Sequence, residues 1–373
     1  MKLLITTLEY PPQMGGIATY VANYSAKLSP ESIVVYAPRF KDNNFVDQSE
    51  FKIYRANQLA KLIWPRWLKS VWQIGRIAKK EKIDLVHVHN VLPLGNALWL
   101  LNKFYHLPYA VILHGSDLRF ATRNWFKRWM FLKICRAAES VVVNSNYMKD
   151  QLTRYFDYPD KIKIVYPCPS DNFIFSARNE AKIKSLKSHL ALEGKQVILS
   201  VARLVERKGH ALFVSALPKI LAAVPNAVWV VVGEGPEKKN ILDQVIKADL
   251  AGAVRFVAAT PPAEVINYFD AADLFVLLTH TDLDGVDEAW GTVFLEAAAR
   301  GVPVVAGESG GASEAVLNQE TGLVVAAHNS MDVAEAVITI LQDGDYAKKL
   351  GQAGRARVQA EFTWDKQIMK LIR

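Results

Sequence analysis

The chain has 373 residues, 51% of them apolar, enough for two ordinary cores and the basis for expecting two domains. No run of eighteen uncharged apolar residues occurs, which excludes a membrane-spanning helix of the usual kind, and the apolar stretch of MKLLITTLEYPP is too short and lacks the cleavage site of a signal peptide. Two solitary cysteines, Cys135 and Cys168, exclude a disulfide framework or a CxxC metal site, so a cytoplasmic protein is expected.

The predicted elements alternate between short β-branched runs and longer helical patterns. Strands are expected at 2–7, 32–38, 84–89, 109–115 and 140–145, then at 196–202, 227–233, 254–259, 272–278, 302–307 and 322–327. These runs are continuously apolar, so both faces of each sheet are covered, and the alternation implies parallel strands with right-handed crossovers. Eleven strands are too many for one doubly wound sheet of this length. Two Rossmann-like α/β domains facing a cleft are expected, over 1–172 and 173–359. The closing FTWDKQIMKLIR reads as a helix, about 360–373, that packs back on the first domain.

The net charge of +8 is uneven. Residues 61–136 carry fourteen Lys or Arg against three Asp or Glu, and six of the nine tryptophans, which points to a partner for that part of the chain.

Ligands of open α/β sheets sit beyond the carboxyl ends of the strands, and several polar residues are expected there. In VARLVERKGH, Arg203 and Lys208 follow a strand and form a fork and a point charge suited to a diphosphate; a solvated loop is the equal alternative. In EAWGTVFLE, Glu288 and Glu296 flank a turn at which Gly291 and Thr292 open a helix toward an anion, while Glu296 can accept from sugar hydroxyls. The plain alternative is a helix start with an acidic first turn. His114 in HGSD can donate to a sugar or phosphate, or be structural. Gly15 and Gly16 open another helix and admit a phosphate close to backbone, or make a simple turn. VGEGPEKK begins as a dinucleotide fingerprint but has Lys238 in place of the third glycine. Asp282-Leu283-Asp284 has the spacing of a metal-binding DxD, in a loop where acidic turn residues are common.

Together, EYPPQMGGIATY, HGSD, VARLVERKG, VGEGPE and EAWGTVFLEAAARGVPVVAGESGGASE resemble the retaining GT-B glycosyltransferases of family four, in order along essentially the whole chain. The stretch LDGVDEAWGTVFLEA is most similar to bacterial members that add mannose from GDP-mannose to phosphatidylinositol mannosides. The resemblance implies a hexosyltransferase that moves a mannose- or glucose-type sugar from a GDP- or UDP-sugar to a lipid-linked or glycan acceptor. It implies front-side transfer with retention, no cofactor and no metal. It gives Glu296 the ribose hydroxyls, and gives Glu288 with the backbone of Trp290, Gly291, Thr292 and Val293 the donor sugar. Arg203 and Lys208 take the diphosphate, His114 touches the donor sugar, and Gly15 and Gly16 lie near the phosphates. On this reading His114, Arg203, Lys208 and Glu288 serve the chemistry. The chain departs from the usual E-G-F-G at Glu288-Ala289-Trp290-Gly291, and has Ala258-Ala259 where a glycine usually follows the base-binding strand.

The segments 61–80 and 119–136 interleave Trp and Phe with Lys and Arg. Trp125, Trp129 and Leu132 share one helical stripe, with Lys127 and Arg128 beside them. Such helices lie in the headgroup plane of anionic bilayers, which makes Trp125, Lys127 and Arg128 expected membrane contacts at the inner face of the cell membrane. Packing on the first sheet is the plain reading, and must hold in part. The rival readings are a sugar-nucleotide epimerase of the same architecture, a non-catalytic nucleotide-sugar module, and a single-strand nucleic-acid binder. The paired glutamates beside Arg203 and Lys208 argue against the first two, and no nucleic-acid motif supports the third.

Overall fold

The computed structural model describes residues 1–13, 15–40, 47, 49–61, 63–282, 285 and 287–372. The chain forms two compact units, Met1–Pro167 with Trp364–Arg373, and Cys168–Thr363.

The first unit holds β1 (Leu3–Thr6), β2 (Ile33–Pro38), β3 (Lys52–Ala56), β4 (Leu85–His89), β5 (Tyr109–Ile112), β6 (Val141–Val143) and β7 (Ile162–Ile164). They pair in the order β3-β2-β1-β4-β5-β6-β7, all parallel. Leu4 of β1 lies between Val34 and Val86, and all three are buried, because helices cover both faces.

The second unit holds β8 (Gln196–Val201), β9 (Ala227–Val232), β10 (Val254–Val257), β11 (Leu274–Leu277), β12 (Val304–Gly307) and β13 (Leu323–Val325). Their order is β10-β9-β8-β11-β12-β13, again parallel. Trp229, Phe213 and Ile220 fill the core on one face, with Val333, Val337 and Ile340 of the helix Ser330–Gln342. Successive strands leave β8 in opposite directions, to β9 on one side and β11 on the other. That switch opens the carboxyl ends of β8 and β11 to a ligand.

Among the described residues there are two strands beyond the eleven expected from the sequence, β3 and β7. Both are sheet edges. Their sequences, KIYRA and IKI, are interrupted by charge and only partly buried, so the apolar run that marks a central strand is missing. The unit boundary lies at Pro167, whereas the expected one falls inside the helix Asp171–Phe175. Phe173 and Ile174 of that helix are buried, and Arg300 donates to the carbonyls of Phe173 (3.2 Å) and Ser176 (2.8 Å), fastening it within the second unit. The last helix, Trp364–Ile372, packs in the first unit. Trp364 meets Tyr20 edge-on at 5.0 Å, Lys27 pairs with Asp365 at 3.2 Å, and the Tyr166 amide donates to Gln367 at 3.1 Å.

Candidate active site

In the second unit, Arg203 follows β8 and its side chain is exposed, with no acid partner among the described residues. Lys208 ends a short 3-10 turn, Glu206–Lys208, and its Nζ pairs with Glu288 Oε2; both side chains are largely buried. Two glycines hold the Arg203 loop close to the loop after β9. A Cβ on Gly233 would stand 2.0 Å from the Ala202 carbonyl oxygen, and one on Gly235 would stand 2.2 Å from that of Leu204. The glycines of VGEGPE therefore serve backbone packing beside the cations, which accounts for them without a dinucleotide fingerprint.

Glu288 stands on a segment buttressed by the loop after β12. Its amide donates to Ser309 Oγ at 3.2 Å, and its carbonyl accepts from the Gly311 amide at 2.8 Å. Gly310 has φ +53° and passes so close to Glu288 that a Cβ would lie 2.1 Å from its carbonyl oxygen. Ser309, Gly310 and Gly311 were not singled out from the sequence, although the glycine doublet is the visible sign of this close approach.

Gly291 caps the helix Thr292–Ala299 with φ +82°, leaving the first amides of that helix without side-chain caps. Glu296 lies one turn in. Burial pushes its carboxyl up to about 7, and it has no hydrogen bond or ion pair among the described residues. Thr292 and Val293 are half-buried at the helix mouth. The Trp290 side chain is buried against Phe362, 5.4 Å between ring centres, so what this residue offers a ligand is backbone. Of Asp282-Leu283-Asp284, residues 283 and 284 lie outside the described ones.

In the first unit, His114 follows β5 half-buried, and burial brings its imidazole down to about 4. Its Nε2 meets His89 Nδ1 at 2.9 Å, and its amide donates to Asp117 Oδ2 at 3.1 Å. Burial chiefly, with the nearby Glu9 charge, lifts the Asp117 carboxyl to about 6. His87 is internal to β4 rather than at a strand end, and it meets the Tyr24 hydroxyl at 2.8 Å. Tyr20 packs edge-on against His114 at 4.9 Å and links this group to Trp364. Periodicity alone gave no sign of this aromatic support. Gly15 precedes the helix Gly16–Ala26 in extended backbone, and a Cβ on Gly16 would meet nothing within 4 Å, so internal packing does not require that glycine.

The helix Trp125–Ala137 divides its residues between two faces. Phe131, Ile134 and Cys135 are buried, whereas Trp125 (74% exposed), Phe126 (53%) and Trp129 (44%) face outward. Phe131 thus belongs to the core. Lys127 lies 3.6 Å over the Phe120 ring and Lys133 3.9 Å over Trp129, with Arg128 exposed beside them.

Residues 14–169 match the family model described as Glycosyltransferase Family 4, and residues 182–357 match that for glycosyl transferases group 1. The chain is similar to the GDP-mannose-dependent alpha-(1-6)-phosphatidylinositol monomannoside mannosyltransferase of Mycobacterium tuberculosis, 29% identical over 99% of this chain and 97% of that one. It is equally similar, at 29%, to the GDP-mannose-dependent monoacylated alpha-(1-6)-phosphatidylinositol monomannoside mannosyltransferase of Corynebacterium glutamicum, over 98% and 95% of the two chains. In fold it is similar to HepE of Anabaena in complex with UDP, with a TM-score of 0.83 at 19% identity, covering 100% of this chain and 98% of that one. Sucrose-phosphate synthase of Thermosynechococcus elongatus gives 0.82 at 23%, over 100% and 97%. With two parallel-sheet domains, the motifs in order and matching family models over both halves, the chain belongs to the GT-B glycosyltransferases, a family-four domain followed by a group-1 domain.

Proposed function

We propose that the protein transfers mannose from GDP-mannose to a lipid-linked acceptor of the phosphatidylinositol-mannoside kind, with retention and without a metal ion, at the inner face of the cell membrane. The observation that carries the reading is the ion pair of Lys208 with Glu288, which joins the loop after β8 to the segment after β11, with Arg203 on the first and the buried Glu296 carboxyl in the helix that follows the second. The names of full-length relatives support the donor and acceptor class.

Each residue has a physical task. The Glu296 carboxylate accepts from the ribose hydroxyls. Arg203 and Lys208 hold the diphosphate; Lys208 keeps two ammonium protons for it while one serves Glu288. Glu288 and the amides from Gly291 onward orient the donor sugar, with Trp290 and Val293 contributing backbone. Gly15 and Gly16 leave room for phosphate, and His114, neutral above its lowered titration range, donates to the sugar. The C1–O bond to the β-phosphate breaks while the acceptor oxygen bonds C1 on the same face. The acceptor proton passes to the departing phosphate oxygen. The growing phosphate charge is met by fixed cations already in place, which lowers the barrier without a metal.

The outward rings and cations of Trp125–Ala137 support attachment to an anionic bilayer through Trp125, Lys127 and Arg128. No described helix is long and apolar enough to cross a membrane. A mass-spectrometric screen of GDP- and UDP-sugars against a lipid extract tests the proposal. A hexose added from GDP-mannose to an inositol glycolipid is expected. Transfer from UDP-sugars alone would overturn the donor assignment.

A further inference from the structure

A crevice of about 210 Å³ opens in the first unit between the edge strand β3, its neighbour β2 and the helix Leu68–Glu81. None of the residues that line it is among those assigned to transfer. Tyr36, Tyr54 and Trp72 give it ring walls, and Gln73, Arg76 and Lys80 line it from one side of the helix. None of the described lining residues is acidic.

The charges around it are unevenly spent. Glu81, at the end of the helix, is engaged by Lys52 (2.7 Å), Lys2 (3.1 Å) and the Tyr54 hydroxyl (2.5 Å). Arg55 is held by Asp47 at 2.6 Å. Arg76 and Lys80, one helical turn apart, have no acid partner among the described residues and lie over rings instead, Arg76 over Trp72 at 5.5 Å and Lys80 over Tyr54 at 5.8 Å. Tyr36 donates to Gln73 Oε1 at 2.6 Å, which fixes the amide and leaves its Nε2 donors unused. The crevice therefore presents two cations without an acid partner among the described residues and an oriented amide donor beside the exposed Trp72 ring. A ligand that satisfies it must bring acceptors with negative charge and an apolar ring face. The volume equals that of roughly seven waters at about 30 Å³ each, room for one six-membered ring with its phosphate.

We infer that this crevice is a second binding site, for a phosphate-bearing sugar or polyol ring, independent of the donor residues. The ring stacks on Trp72, the phosphate takes Arg76 and Lys80, and the Gln73 amide donates to a ring hydroxyl or a phosphate oxygen.

The test is calorimetric titration of the full chain, with the nucleotide site saturated by GDP, using myo-inositol 1-phosphate and mannose 6-phosphate, with myo-inositol and mannose as neutral controls. The phosphorylated rings are expected to bind and the neutral ones to bind at least tenfold more weakly. The double variant Arg76→Gln, Lys80→Gln should lose at least tenfold in affinity, and Trp72→Ala at least threefold, with GDP affinity unchanged. Vesicles with phosphatidylinositol against vesicles with equal phosphatidylglycerol separate a lipid-borne ring from a free one. A phosphatidylinositol preference that the double variant abolishes supports the lipid source, and soluble binding without that preference supports the free one. Absence of binding by either probe, equal binding of neutral and phosphorylated rings, or displacement by GDP would overturn the inference. These outcomes leave the transfer reading untouched, since it is read from sugar transfer and not from this crevice.

Discussion

Glu296 has a carboxyl lifted to about 7 by burial and no partner for it among the described residues, so its ionisation is coupled to whatever donates to it. Ribose hydroxyls donate best to the carboxylate. Above pH 7 the group is already ionised and GDP affinity should be flat. Below 7 the proton competes, and affinity should fall by up to roughly tenfold per pH unit. Glu296→Gln should lower affinity above pH 7 and remove this dependence, which separates it from titration of the nucleotide's own phosphate. Identical pH profiles by calorimetry for both proteins would contradict the ribose assignment. Arg203 and Lys208 act differently, because the charge they face grows during reaction. Arg203→Ala and Lys208→Ala should each slow turnover by about 10²–10³-fold, corresponding to roughly 2.7–4 kcal/mol, with a smaller loss of donor affinity. Steady-state kinetics checks the split. A rise in KM with kcat unchanged would mean uniform binding instead.

Among the elements, the central strands were legible because burial on both faces makes them continuously apolar, as in AVWVVV of β9. The edges β3 and β7 were not, because an edge needs no such run. The site divides in the same way. Residues that leave strand ends beside glycine, such as Arg203 and Glu288, stand out by type and place. Ser309 and Gly311, which hold Glu288 from a different strand's loop, come near it only through the β11–β12 pairing. Trp290 turns its ring into the core, which its place inside a binding motif does not reveal. The helix Trp125–Ala137 turns Phe131 inward and Phe126 outward, which the interleaving of rings and cations in its sequence does not by itself reveal. Its outer face should hold the protein on vesicles containing phosphatidylglycerol, less so at high salt. Replacing Trp125, Lys127 and Arg128 together removes two cations at roughly 1 kcal/mol each, about thirtyfold, beyond the loss of the ring. Cosedimentation reads the change. Absence of binding to anionic and neutral vesicles alike would mean that these rings serve another purpose.

For the whole molecule, the chain's last helix returns to the first unit and its fully buried Trp364 closes over Tyr20 and Tyr24. Trp364→Ala should cost about 3–5 kcal/mol of that unit's stability, seen in calorimetry as a lowered transition. An unchanged transition would show that the helix is dispensable to the fold. The central claim is transfer of mannose with retention and without metal, and one reaction tests it most directly. The protein is incubated in EDTA with GDP-mannose labelled at C1 and a phosphatidylinositol mannoside acceptor, and the product is analysed by mass spectrometry and by the NMR coupling at the new anomeric carbon. The account predicts one added hexose in the same α configuration as the donor. A β-linked product, or no product until Mg²⁺ or Mn²⁺ is restored, would contradict it.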